Sequence, residues 1–458
     1  MNYQLIILVF LLVFTIGCAL RAALSTVSKN ICRFISIPIA FLICYALQSG
    51  GLFSAIGLFT EEMLAKDPSF GAMLEASPYL RGLIEGTVTA ISSAILFPIV
   101  FVVLYFVIRL ILSLTVGKLL AKALERENEA KGIVIARTAG SSVVGAVGGV
   151  FLSAVLLMPI FYIFSFASAV AGCARIPCEE EIALHEELEI IDETFIVPYE
   201  QAPAVHFYEA VGLKGLMCHT AELGSRVEID GHQLSACETI RNVLTHVPNI
   251  YVHMEAWSVS DATMAEDFVA LSDDPFVLGI IADILSHEAK AYANGEPGIF
   301  LHPEAEHETT SSYIVEIFAK TYGESTHLEI ENDLHTILAA GGALAESNFF
   351  NDFTRSFETG TDGDEAMANV LLANLGYVGR VMDALYVSDP THKFSDTIFD
   401  ILLENDEVQK FVSKKTIDDL NNAVEAGETT YESFTLFLQG LMGIVTNQTT
   451  TTKSRSIV

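Results

Sequence analysis

Residues 138–174 read TAGSSVVGAVGGVFLSAVLLMPIFYIFSFASAVAGCA, thirty-seven consecutive positions without a charged side chain. A helix rises about 1.5 Å per residue and the hydrocarbon core of a bilayer is about 30 Å thick, so about 20 apolar residues cross it. The run is too long for one straight crossing and too short for two with a turn between them. It predicts a single tilted or kinked helix with interfacial ends and Pro159 at the kink. Three more uncharged runs precede it, Met1–Leu20, Phe34–Thr60 and Gly86–Ile108, and each fits one crossing, with Pro38 and Pro98 at kink positions. No Lys or Arg precedes Arg21, so the first run lacks the basic lead of a secretory signal and reads as a span. The stretch Thr15-Ile16-Gly17-Cys18 also departs from a lipoprotein cleavage box.

Charge divides the chain at the end of the fourth run. The 458 residues carry a formal net charge of −32 and a mean hydropathy of +0.45, a pairing that one soluble domain does not produce. Residues 1–172 hold eleven bases and eight acids, a net of +3, which leaves −35 and all twelve histidines for the remainder. The sequence therefore predicts an all-α chain with a four-span membrane domain over 1–174, an acidic helical soluble domain over 175–446, and a disordered threonine-rich tail over 447–458. An acidic balance of this size argues against nucleic-acid binding, which needs a basic footprint. The apolar content argues against a mostly disordered chain.

Basic residues in short loops set the orientation. The 21–33 loop carries Arg21, Lys29 and Arg33, and the 109–137 loop carries Lys118, Lys122, Arg126, Lys131 and Arg137, with Arg109 at its entry. The 61–85 loop has Lys66 and Arg81 against four glutamates and Asp67. Loops one and three are thus expected inside the cell, with both termini and the acidic domain outside. Arg109 adjoins an apolar run on both sides and is expected to snorkel to the inner headgroups.

Within the fourth run Ser141, Gly145, Gly149 and Ser153 recur every fourth residue, which puts four small side chains on one helix stripe. Such a stripe lets helix backbones approach closely in lipid. It serves either packing against the other spans or a homo-oligomer or pore seam through the fourth span. Together with the Gly17-to-Arg21 element closing the first span, the basic amphipathic stretch Val107–Lys131 and the Gly145-Ala-Val-Gly-Gly149 opening of the fourth span, this N-terminal part resembles the colicin V production protein family of bacterial inner-membrane proteins. Family members often carry a basic residue ahead of that glycine run and another inside it; here those positions read Ser142 and Leu152. The resemblance covers about 170 of the 458 residues. It implies a role in envelope maintenance or in bacteriocin production and export, without known chemistry.

The acidic part reads as helices. Asp274 before Pro275 forms a start signal, and Phe276, Val277, Ile280, Ile281, Ile284 and Leu285 make one apolar face that ends near Gly295. Similar faces occupy Ser312–Tyr322, Leu334–Leu344, Ala366–Leu385 and Tyr431–Leu441, and Thr416 with Asp419 suggests a capping box. Asp230-Gly231, Thr361-Asp362-Gly363 and Ser388-Asp389-Pro390 punctuate the helices. Val227–Ile229 and Phe195–Val197 could be short strands.

No motif supports a reaction or a cofactor. His302, Glu304, Glu306, His307 and Glu308 cluster without the helical spacing of a zinc site, and Cys218, His219, His232 and Cys237 form a looser metal possibility. Asp362-Gly363-Asp364-Glu365 lacks calcium-loop spacing, and Gly323-Glu324-Ser325-Thr326-His327 lacks the closing glycine of a nucleophile elbow. Cys173, Cys178, Cys218 and Cys237 would face an oxidising compartment and are candidates for disulfides, with three pairings open. Cys18, Cys32 and Cys44 read as small apolar packers. The favoured function is a membrane protein acting by assembly or interaction, with the lipid bilayer as its first partner. A channel or small-solute transporter and a metal-dependent ectodomain hydrolase are the alternatives.

Overall fold

The computed structural model describes residues 3–53, 60, 63–118, 131–176, 182–255, 262–299, 322, 327–346, 349, 375–389 and 412–440. Over these residues the fold is all-α apart from one two-stranded hairpin. The chain forms two compact units, the first made of residues 1–74, 79–175 and 183–245 and the second of 75–78, 176–182 and 246–458.

The first unit is built on α1 (Tyr3–Ala23), α2 (Val27–Ser49), α3 (Pro68–Ala76), α4 (Pro78–Leu114) and α5 (Lys131–Val170). Four stretches, Gln4–Ala23, Val27–Ser49, Pro78–Leu114 and Thr138–Arg175, are long and apolar enough to cross a membrane. The 37-residue run is one helix continued by a 3-10 turn over Ala171–Arg175. On α4, Ile91, Ile95, Ile99, Val103, Val107 and Ile111 recur every fourth residue and are exposed, as is Leu114. That row is about 35 Å long at 1.5 Å per residue, close to the thickness of a hydrocarbon core. The start of the same helix is covered by protein instead. A Cβ at Gly86 would stand 2.6 Å from the Ala236 Cβ and the Ser225 carbonyl, and one at Gly224 would stand 2.8 Å from Thr89 Cγ2. The outward apolar row therefore begins about one turn later than the uncharged run Gly86–Ile108 suggests. Absence of charge marks burial by lipid and by protein alike.

After α5 the chain continues through α6 (Ala183–Ile191), a π-turn over Asp192–Ile196, a short turn over Val197–Glu200, α7 (Pro203–Ala210) and α8 (Leu213–Glu222). Phe195–Val197 is thus helical and not a strand. Ile196 and Tyr199 are both 1% exposed, and burying that pair on one side requires the chain to keep turning. Strands β1 (Arg226–Ile229) and β2 (His232–Ser235) pair antiparallel, with Ile229 opposite His232. Asp230 (φ 52°) and Gly231 (φ 81°) supply the two left-handed positions of a tight hairpin turn. Helix α9 (Ala236–Glu255) follows, and the division between the units falls inside it. One core joins Ile7, Ala40, Phe97, Phe101, Met158 and Phe161 of the long helices to Tyr199, Val205, Tyr208, Met217, Ala221 and Cys237. Phe41, packed against this core, meets Phe97, Phe101 and Phe151 at ring separations of 5.5, 6.5 and 5.3 Å. The first compact unit accordingly reaches Thr245, whereas charge changes at residue 174.

The second unit contains α10 (Ala262–Ser272), α11 (Pro275–Asn294), α12 (His327–Glu346), α13 (Leu375–Ser388), α14 (Lys414–Glu425) and a helix over 431–440. Asp274 caps α11 by accepting from the amides of Phe276 (3.0 Å) and Val277 (3.3 Å), and Gly295 ends it in a left-handed conformation. The cap of α14 is Ser413, which accepts from the Thr416 amide at 3.3 Å, so Thr416 sits inside the helix three residues later than a capping box there requires. Ser312–Tyr322 apart from Tyr322, residues 366–374, Thr361–Gly363 and the tail 447–458 lie outside the described residues.

Candidate functional site

The small-residue stripe packs inward. A Cβ on Gly145 would stand 2.5 Å from the Ala22 Cβ and 2.6 Å from the Cys18 carbonyl oxygen, and one on Gly149 would stand 2.6 Å from the Phe14 carbonyl oxygen. Only glycine lets α1 lie this close. Ser153 shares a 2.6 Å hydrogen bond with the Tyr208 hydroxyl, and Ser141 borders the groove between α2 and α5. Three of the four residues thus meet partners within this chain, and Ser141 faces the groove.

A cavity of about 210 Å³ opens beside that contact, lined from α1, α2, α4 and α5. Its polar wall consists of Arg21, Arg33, Arg109, Asn30 and Tyr105; Phe14, Phe34, Ile37, Phe106 and Leu152 form the apolar wall. Arg21 stands in the last turn of α1, where the helix dipole favours a cation. Asn30 donates to the Ala22 carbonyl at 2.6 Å and so ties α2 back across the loop. The Arg33 Nη1 donates to the Arg21 carbonyl (3.4 Å) and to Asn30 Oδ1 (3.5 Å), while its Nε is buried without a partner. Arg33 feels the charges of both Arg109 and Arg21. None of the lining residues is acidic, and among the described residues no carboxylate pairs with any of the three guanidiniums. Arg109 therefore lines a shared cavity, where its sequence position alone suggested a headgroup contact. An open apolar groove of about 450 Å³ adjoins the cavity and shares Asn30, Phe34 and Val144 with it.

Among the described residues the other candidates do not assemble into a metal site or a disulfide. Cys173, Cys218 and Cys237 are free thiols. Cys173 donates to the Val170 carbonyl at 3.3 Å, and Cys237 shares a 2.9 Å hydrogen bond with the Tyr162 hydroxyl. Burial pushes the Cys218 thiol up to about 11, with the Glu222 charge adding to it, so it stays protonated at neutral pH. Cys178 lies outside the described residues. His219 and His232 are exposed while Cys237 is buried, and among the described residues no three His, Cys, Asp or Glu side chains converge as a metal site. His302–Glu308, Asp362–Glu365 and Gly323–Thr326 lie outside the described residues.

In the second unit Asp283 joins Ser77 (Oγ to Oδ2, 2.8 Å) and His327 (Nδ1 to Oδ1, 2.9 Å). The carboxylate stands between serine and histidine, so the serine proton is held by Asp283 and not by an imidazole base. A second cluster brings His246 Nδ1 to 2.6 Å and Asn249 Nδ2 to 3.2 Å from Asp267 Oδ1, with His253 buried close by. Compared with protein-family models, curated proteins and solved structures, the chain has no match among any of the three.

Proposed function

We propose that this chain is a multi-pass membrane protein that acts by assembly or interaction rather than by catalysis, and that presents its acidic helical domain at one membrane surface. The observation that carries this reading is the row from Ile91 to Leu114 on α4. It is exposed, apolar and as long as a bilayer core, on a helix whose other end is covered by protein. In water such a row has no stabilising partner; in lipid it needs none. The bases of the 21–33 and 109–137 loops support a placement of those loops in the cytoplasm, with both termini and the acidic domain outside. The resemblance to the colicin V production family supplies the cellular role we propose, envelope maintenance or bacteriocin production and export. Because α1 occupies Gly145 and Gly149, assembly with a second copy would use another face of α5.

Carbonate extraction of bacterial membranes expressing the full chain tests the first statement: the protein stays in the pellet, and its release into the supernatant would overturn the reading. Single-cysteine variants in a cysteine-free background test the second. Positions in the 61–85 loop and in the acidic domain should react with an impermeant maleimide in intact cells. Protection of both reverses the orientation.

A further inference from the structure

Arg21, Arg33 and Arg109 come from three different helices and meet in one cavity with no acid among its lining residues. Arg33 and Arg109 are half-buried and Arg21 is exposed at the rim. Guanidiniums stay charged at any physiological pH, and gathering three of them at one cavity is unfavourable unless an anion joins them. The polar wall is rich in donors: the guanidinium forks, the unpartnered Arg33 Nε and the Tyr105 hydroxyl. A group that satisfies them must be rich in acceptors and compact, and a phosphate meets both demands through paired N–H···O contacts. The groove beside the cavity decides between a free phosphate and one carried by a lipid. It is walled by Val27, Ile31, Phe34, Ile35, Ser141 and Val144 and adjoins the cavity at Asn30, Phe34 and Val144, which line both. A free anion would leave that groove unused, whereas an acyl chain attached to the phosphate would fill it. Basic pockets between spans are where charged headgroups gain most from burial beside apolar surface.

We propose that Arg21, Arg33 and Arg109 hold the phosphate of an anionic glycerophospholipid whose acyl chain lies along the groove between α2 and α5. The lipid belongs to the leaflet on the side of the 21–33 and 109–137 loops, and it would tie α1, α2, α4 and α5 together at that end. The proposal rests on the membrane reading above. Carbonate extraction tests that reading separately, so a protein that stays in the membrane but binds no lipid here overturns this inference alone.

Native mass spectrometry of the full chain in a non-ionic detergent provides the test, with phosphatidylglycerol, phosphatidylcholine of the same acyl chains, and inorganic phosphate as probes. The expected result is one retained phosphatidylglycerol and no retained phosphatidylcholine. Arg109→Gln should weaken retention about fivefold, and Arg33→Gln with Arg109→Gln about 25-fold. Lys29→Gln removes an exposed basic residue of the same loop side and should leave retention unchanged. Val144→Trp fills the groove without altering charge and should abolish it. Equal retention of both lipids, or equal weakening by Lys29→Gln and Arg109→Gln, would show diffuse attraction and overturn the site. Displacement of phosphatidylglycerol by millimolar inorganic phosphate, with Val144→Trp without effect, would overturn the lipid assignment in favour of a free anion. If the arginine variants fail to fold, the Lys29→Gln and Val144→Trp arms still decide.

Discussion

Gly149 and Gly17 are both helical glycines of the first unit, yet substitution should act on them in opposite directions. A Cβ at Gly149 would meet the Phe14 carbonyl at 2.6 Å and Thr15 Cα at 2.9 Å, backbone atoms that cannot rotate away, whereas one at Gly17 meets nothing within 4 Å. Gly149→Val should therefore lower the melting temperature in detergent, by about 1–3 kcal/mol in stability, through overpacking against α1. Gly17→Ala should be neutral or stabilising by about 0.5–1 kcal/mol, because alanine holds a helix better. If both variants melt alike, the stripe is not a packing seam. In the second unit His253 is 1% exposed, and burial pulls its imidazole below the usual 6.5 while the Asp267 charge pulls the other way. The folded chain keeps His253 neutral where the unfolded chain takes up a proton. The stability it contributes is whole above pH 6.5 and is lost as the pH falls toward the lower native value. Hydrogen exchange over residues 246–255, corrected for its intrinsic pH dependence, should accelerate between about pH 7.5 and 5.5, and His253→Phe should flatten that change.

At the scale of elements, legibility follows how local the determining contacts are. The ends of helix α11 are readable because its cap and its proline lie within one segment: Asp274 accepts from Phe276 and Val277, and Pro275 occupies the first turn. Its packing face is less so, since Leu278, Ala282, Leu285 and Ala289 enter the core while Val277, Ile280, Ile281 and Ile284 stay half-buried. The Asp230-Gly231 turn is readable for the same reason, since two successive left-handed positions favour these residue types. Phe195–Val197 misleads because aromatic and β-branched residues favour strands locally, while the burial of Ile196 and Tyr199 overrides that preference. Thr416 misleads in a smaller way. Two hydroxyl residues three apart both qualify as caps, and the side chain that accepts from a backbone amide belongs to Ser413. Ser413→Ala should therefore cost about 1 kcal/mol of local stability at the start of α14, and Thr416→Ala less than half of that, as read by exchange of the first-turn amides. Equal effects would return the cap to Thr416.

Across the whole molecule, composition records where apolar and acidic sequence change places, and packing records something else. Charge turns acidic at residue 174, yet the core of the long helices takes in eight buried residues beyond it: Tyr199, Ala202, Ala204, Val205, Tyr208, Met217, Ala221 and Cys237. Polar contacts fasten the same region, among them Gln48 Nε2 to the carbonyls of Thr220 and Ala221, Tyr208 to Ser153, and Arg175 to Asp192 at 2.8 Å and Glu200 at 3.0 Å. Linear charge counting cannot see these partners, because each lies more than fifteen residues from its mate. The approach of Arg109 to Arg21 and Arg33 is hidden for the same reason, since Arg109 stands more than seventy residues from either. The consequence can be tested by truncation. A chain ending at Glu255 keeps every one of these contacts, whereas a chain ending at Ala174 leaves Met158, Phe161 and Tyr162, now 0%, 0% and 1% exposed, without the residues that cover them. Neither lipid nor water suits that face, because Ser153, Gln48 and Tyr162 would lose their partners beside bare apolar surface. The longer fragment should purify from membranes in detergent as a single species with a cooperative melt. The shorter one should aggregate or melt without cooperativity, and equal behaviour of the two would favour a domain boundary at residue 174.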